Sequence, residues 1–127
     1  MGMPAAKQGD RIVAVDTHIV MVGSSLPLPH PFTGIINGNL SRNVNIMDQP
    51  AATVDSTAAN TPPHLPTSPG TAFQKTPANK ATIKVGSQTV NINGKPAARS
   101  GDTAMTCNDP ADVPIGKVVA SGTVMIG

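Results

Sequence analysis

Apolar and polar residues alternate in three separated stretches of this 127-residue chain. In residues 81–94, ATIKVGSQTVNING, the apolar positions are Ile83 and Val85, then Val90 and Ile92, on either side of Gly86-Ser87. Residues 34–46, GIINGNLSRNVNI, carry short β-prone runs around Asn37-Gly38, and residues 117–127, KVVASGTVMIG, have the same form around Ser121-Gly122. Period-two alternation broken by a Gly-containing turn marks an antiparallel hairpin. Three hairpins are therefore predicted, at 34–46, 81–94 and 117–127. No segment holds a helical period, so the fold class is all-β. SSLPLPHPF (24–32) and NTPPHLPTSPG (60–70) read as rigid loops, because proline is excluded from helix interiors and lowers the entropy lost on ordering a loop.

A repeat underlies these hairpins. MPAAKQGD opens at Met3 and KPAARSGD at Lys95, with QPAATVDS at Gln49 between them. The prolines Pro4, Pro50 and Pro96 are separated by 46 residues twice (50 − 4 and 96 − 50). VNI at 44–46 and again at 90–92 keeps the same offset. The first Pro-Ala-Ala phrase has no hairpin before it, and the last hairpin has no phrase after it. Bringing the two chain ends together completes a third unit. The sequence thus predicts one domain over residues 1–127, with Pro-Ala-Ala at 4–6, 50–52 and 96–98 and no extension domain. Its shape is a closed, loop-rich cone of three hairpins with pseudo-threefold symmetry, unlike an open solenoid that needs caps. The middle phrase, PAATVD, lacks the basic residue and the glycine of the other two, so its corner is expected to differ.

Composition raises a question of stability. There are two Phe, no Trp and no Tyr, against 13 Pro and 12 Gly. Aromatic side chains usually dominate small cores, so a metal or an oligomeric contact is expected to supplement this one. The formal charge of +2 is spread along the chain without a basic run, which speaks against a nucleic-acid partner. A single Cys excludes an internal disulfide. The N-terminus reads as lacking a secretory signal.

The histidines are His18, His30 and His64, and the cysteine is Cys107. His18 and His64 each lie 14 residues past their own Pro-Ala-Ala proline (18 − 4 and 64 − 50), and Cys107 lies 11 past Pro96 (107 − 96). A threefold ring carries such positions to one axis, with His30 reaching in from its proline-rich segment. Four N and S donors suit Zn²⁺ in a closed structural site, with Fe as the alternative. A blue-copper centre using Met105 would leave strong donors unexplained.

With PAAR itself at Pro96–Arg99 followed by SGD, and PAAK at Pro4–Lys7 followed by QGD, the chain resembles the PAAR-repeat proteins. These sharpen the spike of type VI secretion systems and related contractile injection machines. The resemblance implies that His18, His30, His64 and Cys107 ligate a metal near the apex of the cone. It implies that the base sits on a trimeric β-helical spike protein of the valine-glycine repeat family, one chain per trimer. Effectors would ride elsewhere on the spike. It further implies a bacterial cytoplasmic location before firing, then delivery outside the cell or into a target cell, with transient contact at the target membrane. The function so implied is structural, a metal-stabilised tip that aids piercing, and not enzymatic.

The alternative weighed beside it is a small zinc hydrolase with a water in place of one ligand and a nearby general base. Asp16 and Asp109, each two residues from a ligand, are the candidates for that base, and both are expected to be solvated turn residues. Lys7 and Arg99, at matching repeat positions, are expected to brace turns against Asp10 and Asp102.

Overall fold

A computed structural model describes residues 2–127. The strands run β1 (Met3–Pro4), β2 (Arg11–Met21), β3 (Ser25–Gly38), β4 (Asn45–Ile46), β5 (Gln49–Pro50), β6 (Thr57–Asn60) and β7 (Ala72–Phe73). They continue with β8 (Lys80–Ile83), β9 (Asn91–Ile92), β10 (Lys95–Pro96), β11 (Thr103–Thr106), β12 (Val113–Val119) and β13 (Met125–Ile126). No helix occurs among the described residues. Six strands close a small antiparallel barrel in the order β2-β3-β6-β8-β11-β12, with β12 returning to β2 through Val118 opposite Ile12. Three short two-stranded ribbons form the other end: β4 with β5, β9 with β10, and β1 with β13.

Strand alternation fills the barrel. Along β2 the inward column is Ile12, Ala14, Asp16, His18 and Val20, and along β3 it is Leu28, His30, Phe32, Gly34 and Ile36. Ile12, Ile36, Ile83, Phe32 and Val118 are essentially without exposure. Each stabilises the fold by about 1.5–3 kcal/mol through burial. Gly34 is required by this packing, because a Cβ there would lie 2.7 Å from the Phe32 ring and 2.9 Å from Ala58 Cβ. Going along β2 from Ile12 to His18, the interior changes from aliphatic to polar, and that change places the chemistry toward one end of the cone.

Pseudo-threefold symmetry reaches individual hydrogen bonds. Ala52 N donates to Ala6 O (3.0 Å), Ala98 N to Ala52 O (3.0 Å), and Ala6 N to Ala98 O (2.9 Å), closing a ring. A second ring runs from Gln8 N to Pro50 O, Val54 N to Pro96 O and Ser100 N to Pro4 O, each at 2.9 Å. Three backbones meet at this axis within hydrogen-bonding distance, so only a methyl side chain fits between them. Ala6, Ala52 and Ala98 face the barrel interior, while Ala5, Ala51 and Ala97 face a second apolar cluster with Ile46, Ile92 and Ile126. The recurring Pro-Ala-Ala phrase is thereby explained by steric demand at the axis. The chain ends meet as expected, Met3 opposite Ile126 and Pro4 opposite Met125.

The middle corner keeps the geometry with different residues. Lys7 N and Arg99 N donate to Asp10 Oδ2 (3.0 Å) and Asp102 Oδ2 (2.7 Å), while Thr53 N donates to Ser56 Oγ (3.0 Å). Lys7 Nζ and Arg99 Nη2 also pair with those aspartates, at 3.1 and 2.9 Å. The expected bracing is present. With Ser56 in place of a carboxylate, Thr53 has no charge to neutralise, which accounts for the missing basic residue. Asp55, at φ 78°, takes the left-handed position held by Gly9 (φ 93°) and Gly101 (φ 92°). Aspartate tolerates that region better than most residues.

Two sequence expectations need correction. The barrel has three hairpins, but they do not lie within the predicted limits. Residues 34–38 end barrel strand β3, whereas 45–46 pair with 49–50, so Asn37-Gly38 is not a hairpin turn. The segment 81–94 likewise divides between β8 and β9, and 117–127 between β12 and β13. The barrel hairpins are β2 with β3, β6 with β8, and β11 with β12. Residues 24–32 are not a loop either: Ser25 to Gly38 form one long strand. Pro27, Pro29 and Pro31 occur at every second position, so all their missing N–H groups fall on one edge of the strand. The other residues keep their donors for β2, and β6 pairs with β3 only from Gly34 onward.

Candidate metal centre

The polar end of the barrel gathers side chains from four segments. β2 supplies Asp16 and His18 on its inward column, β3 supplies His30, the loop after β6 supplies His64, and the residue after β11 is Cys107. All five are buried. The three imidazoles form a near-equilateral triangle, with ring centroids 4.9 Å apart for His18–His64, 5.5 Å for His18–His30 and 5.6 Å for His30–His64. Cys107 Sγ lies 3.7 Å from His18 Nε2.

Local polar contacts hold each group in place. Beyond the end of β12, the Asn108 and Asp109 side chains take up the free edge of β2. Thr17 N donates to Asn108 Oδ1 (2.6 Å) and Ile19 N to Asp109 Oδ2 (2.8 Å). This fixes Cys107 against His18. His64 is oriented through its own N–H, which donates to Asn79 Oδ1 (2.8 Å). His30 Nδ1 donates to Leu28 O (2.9 Å), and the lone pair on Nε2 accepts from Thr67 N (3.2 Å), a bond that a cation at Nε2 would have to replace. Phe73 packs on His18 and His30, with centroids at 5.8 and 5.3 Å, and Phe32 lies 6.0 Å from His64. The chain's two phenylalanines thus both pack against the histidine cluster.

Placement of the sequence-predicted residues is uneven. The donor atoms that lie within 4.8 Å of one another belong to Asp16, His18, His64 and Cys107. The structure brings His18, His64 and Cys107 together and sets the His30 ring beside them, with its nitrogens turned to Leu28 and Thr67. Asp16 stands inside the group. Neither Asp16 nor Asp109 is a solvated turn residue. Asp16 has no exposure, and the Asp109 side chain is 5% exposed. Asp16 is buried because it occupies an inward position of β2, and Asp109 because it replaces strand hydrogen bonds. Thr106 and Asn108, which hold Asp16, went unread in the sequence. The period-two column Ile12-Ala14-Asp16-His18 was the signal for Asp16.

The donor set fits a cation. The edges of a tetrahedron with metal–nitrogen at about 2.0 Å and metal–sulfur at about 2.3 Å are roughly 3.5 Å, close to the His18–Cys107 separation. His18 Nδ1 is buried with no hydrogen-bond partner, 3.6 Å from Asp109 Oδ2. A carboxylate behind a ligating imidazole is the usual arrangement in metal sites. Burial pushes the His18 imidazole below its ordinary pKa, and the neighbouring His64 adds to this. Burial also pushes the Cys107 thiol up, with Asp16 contributing. Both groups are therefore neutral in the metal-free chain near pH 7, and a cation must displace the thiol proton.

A family model described as the PAAR motif matches residues 27–110, more than half of the chain. A comparison with curated proteins gave no match.

Proposed function

Because this chain belongs to the PAAR-motif family, a family of spike-tip proteins of type VI secretion and related contractile injection machines, we propose that one copy caps a trimeric β-helical spike and that a cation ties its narrow end. The observation that carries this reading is the cyclic hydrogen bonding of Ala6, Ala52 and Ala98. Through it a single chain offers three equivalent faces to a threefold partner. The three ribbons around Ile46, Ile92 and Ile126 are the matching surface. A β-helix that ends in the open exposes strand edges, which invite unwanted pairing. Strand addition from the ribbons satisfies those edges.

His18, His30, His64 and Cys107 are the proposed ligands, with zinc favoured by the nitrogen and sulfur donors and iron as the alternative. When bound, the ion supplies a cross-link among β2, β3, the 61–70 loop and the residue after β11. Asp109 Oδ2 lies 3.6 Å from the unpaired Nδ1 of His18, and the Leu28 carbonyl fixes the His30 tautomer. Such a site contributes folding energy directly, which a chain with one buried phenylalanine has reason to use. The hydrolase alternative is not favoured, because one oxygen of each candidate base is already engaged. Asp109 Oδ2 accepts from Ile19 N, and Asp16 Oδ1 accepts from Thr106 Oγ1. On this proposal the chain waits in the bacterial cytoplasm, leaves with the spike when the machine fires, and touches the target membrane only in passage. Any effector travels on the spike.

The test is a sedimentation titration of the purified chain into a trimeric valine-glycine repeat spike protein. Saturation at one chain per trimer is expected. Saturation at three chains per trimer, or no binding, contradicts the cap.

A further inference from the structure

The reading above leaves Asp16 without a role, although it is the most completely buried carboxylate of the chain. Its Oδ1 is occupied: Thr106 Oγ1 donates at 2.6 Å and Asn108 Nδ2 at 3.4 Å. Its Oδ2 is turned into the cluster, 2.9 Å from His64 Nε2, 3.5 Å from Cys107 Sγ and 4.0 Å from His18 Nε2. Among the described residues, no lysine or arginine pairs with it. A carboxylate fully removed from water calls for a positive partner, and the imidazoles offer one only when protonated.

We infer that Asp16 Oδ2 is itself a donor to the cation, beside the imidazoles and the Cys107 thiolate. This rests on the metal reading above and extends it. A divalent cation with one thiolate keeps one uncompensated positive charge in an enclosed site. The Asp16 carboxylate brings that charge to zero, and the cation in turn is the partner that the carboxylate lacks. Thr106 and Asn108 then act as positioning residues, holding one oxygen so that the other points inward. Ligating carboxylates are commonly held in this way.

The test loads the metal-free chain with Co²⁺, whose thiolate charge-transfer band reports Cys107 and whose ligand-field bands report the number and kind of donors. Asp16→Asn keeps the shape and removes the charge. The expected result is a Co²⁺ affinity lowered by at least the roughly 10- to 100-fold typical of losing an outer-shell partner, a retained charge-transfer band and shifted ligand-field bands. Unchanged affinity and bands overturn the inference. Weaker affinity with unchanged ligand-field bands also overturns it, because Asp16 would then only orient His64. A wild-type chain that shows no thiolate band defeats the metal reading itself, a distinguishable result. Should D16N fail to fold, Thr106→Val releases Oδ1 while keeping the carboxylate. It should shift the ligand-field bands in the same direction with a smaller loss of affinity, and an unshifted spectrum overturns the inference.

Discussion

Met3 faces Ile126 across an antiparallel pair, so the two ends of the chain are joined in one ribbon. The same relation holds between Gln49 and Ile46 and between Lys95 and Ile92. The third unit is therefore assembled from both ends, and the cone has no seam at its axis.

The Pro-Ala-Ala phrase makes the axis intolerant of size. Ala52 has no exposure and is hydrogen-bonded to Ala6 and Ala98. Ala52→Leu should cost about 1–3 kcal/mol or more through overpacking, read as a lower urea midpoint at unchanged slope. A midpoint equal to that of the wild type would show that the axis has room to spare.

Asp55 tests the equivalence of the three corners. It is exposed and sits at φ 78°, where the other corners use glycine. Asp55→Gly should change stability by less than about 1 kcal/mol, since relief of the left-handed backbone offsets glycine's entropy in the unfolded chain. Asp55→Val should cost about 1–2 kcal/mol. Equal stability of the two variants, measured by urea denaturation, would contradict the assignment.

Metal removal should be felt by the whole fold. Chelation, or His64→Ala, is expected to lower Tm by roughly 10 °C or more, because binding to the native state adds directly to its stability. Differential scanning calorimetry with and without chelator provides the check. Unchanged unfolding under both treatments would remove the metal from the account.

Acid should act in the same direction. The folded pKa of His18 is depressed, chiefly by burial, so the unfolded chain takes up its proton first as pH falls. The associated stability is present above the ordinary imidazole value of about 6.5 and is lost below it. Cys107, whose pKa is raised chiefly by burial, must lose a proton to bind metal, so affinity should rise with pH through the neutral range. Tm of the chelated chain at two pH values on either side of 6.5, together with metal retention on dialysis, measures both effects. Flat profiles would contradict them.

The repeat was legible because steric demand at a threefold axis leaves the same small residues at a fixed period. The closure of the ends followed from the offset between phrases and hairpins. His18 and His64 stood out by their equal offsets from Pro4 and Pro50, and the fold sets both beside Cys107. The strand through Pro27, Pro29 and Pro31 was not, because proline commonly signals a loop, and only the alternation with Leu28, His30 and Phe32 tells otherwise. The hairpin limits were misplaced because Ile36 and Ile46 both look like strand residues, yet one closes the barrel and the other the base. Asp16 was hidden because an acidic residue beside a histidine is ordinarily exposed. Only the closed barrel shows that its position points inward.

The most direct measurement is native mass spectrometry of the complex between the metal-loaded chain and a trimeric spike protein. The expected mass is that of three spike chains, one copy of this chain and one metal ion. A complex with three copies of this chain, or one that assembles equally well without the ion, would contradict the account.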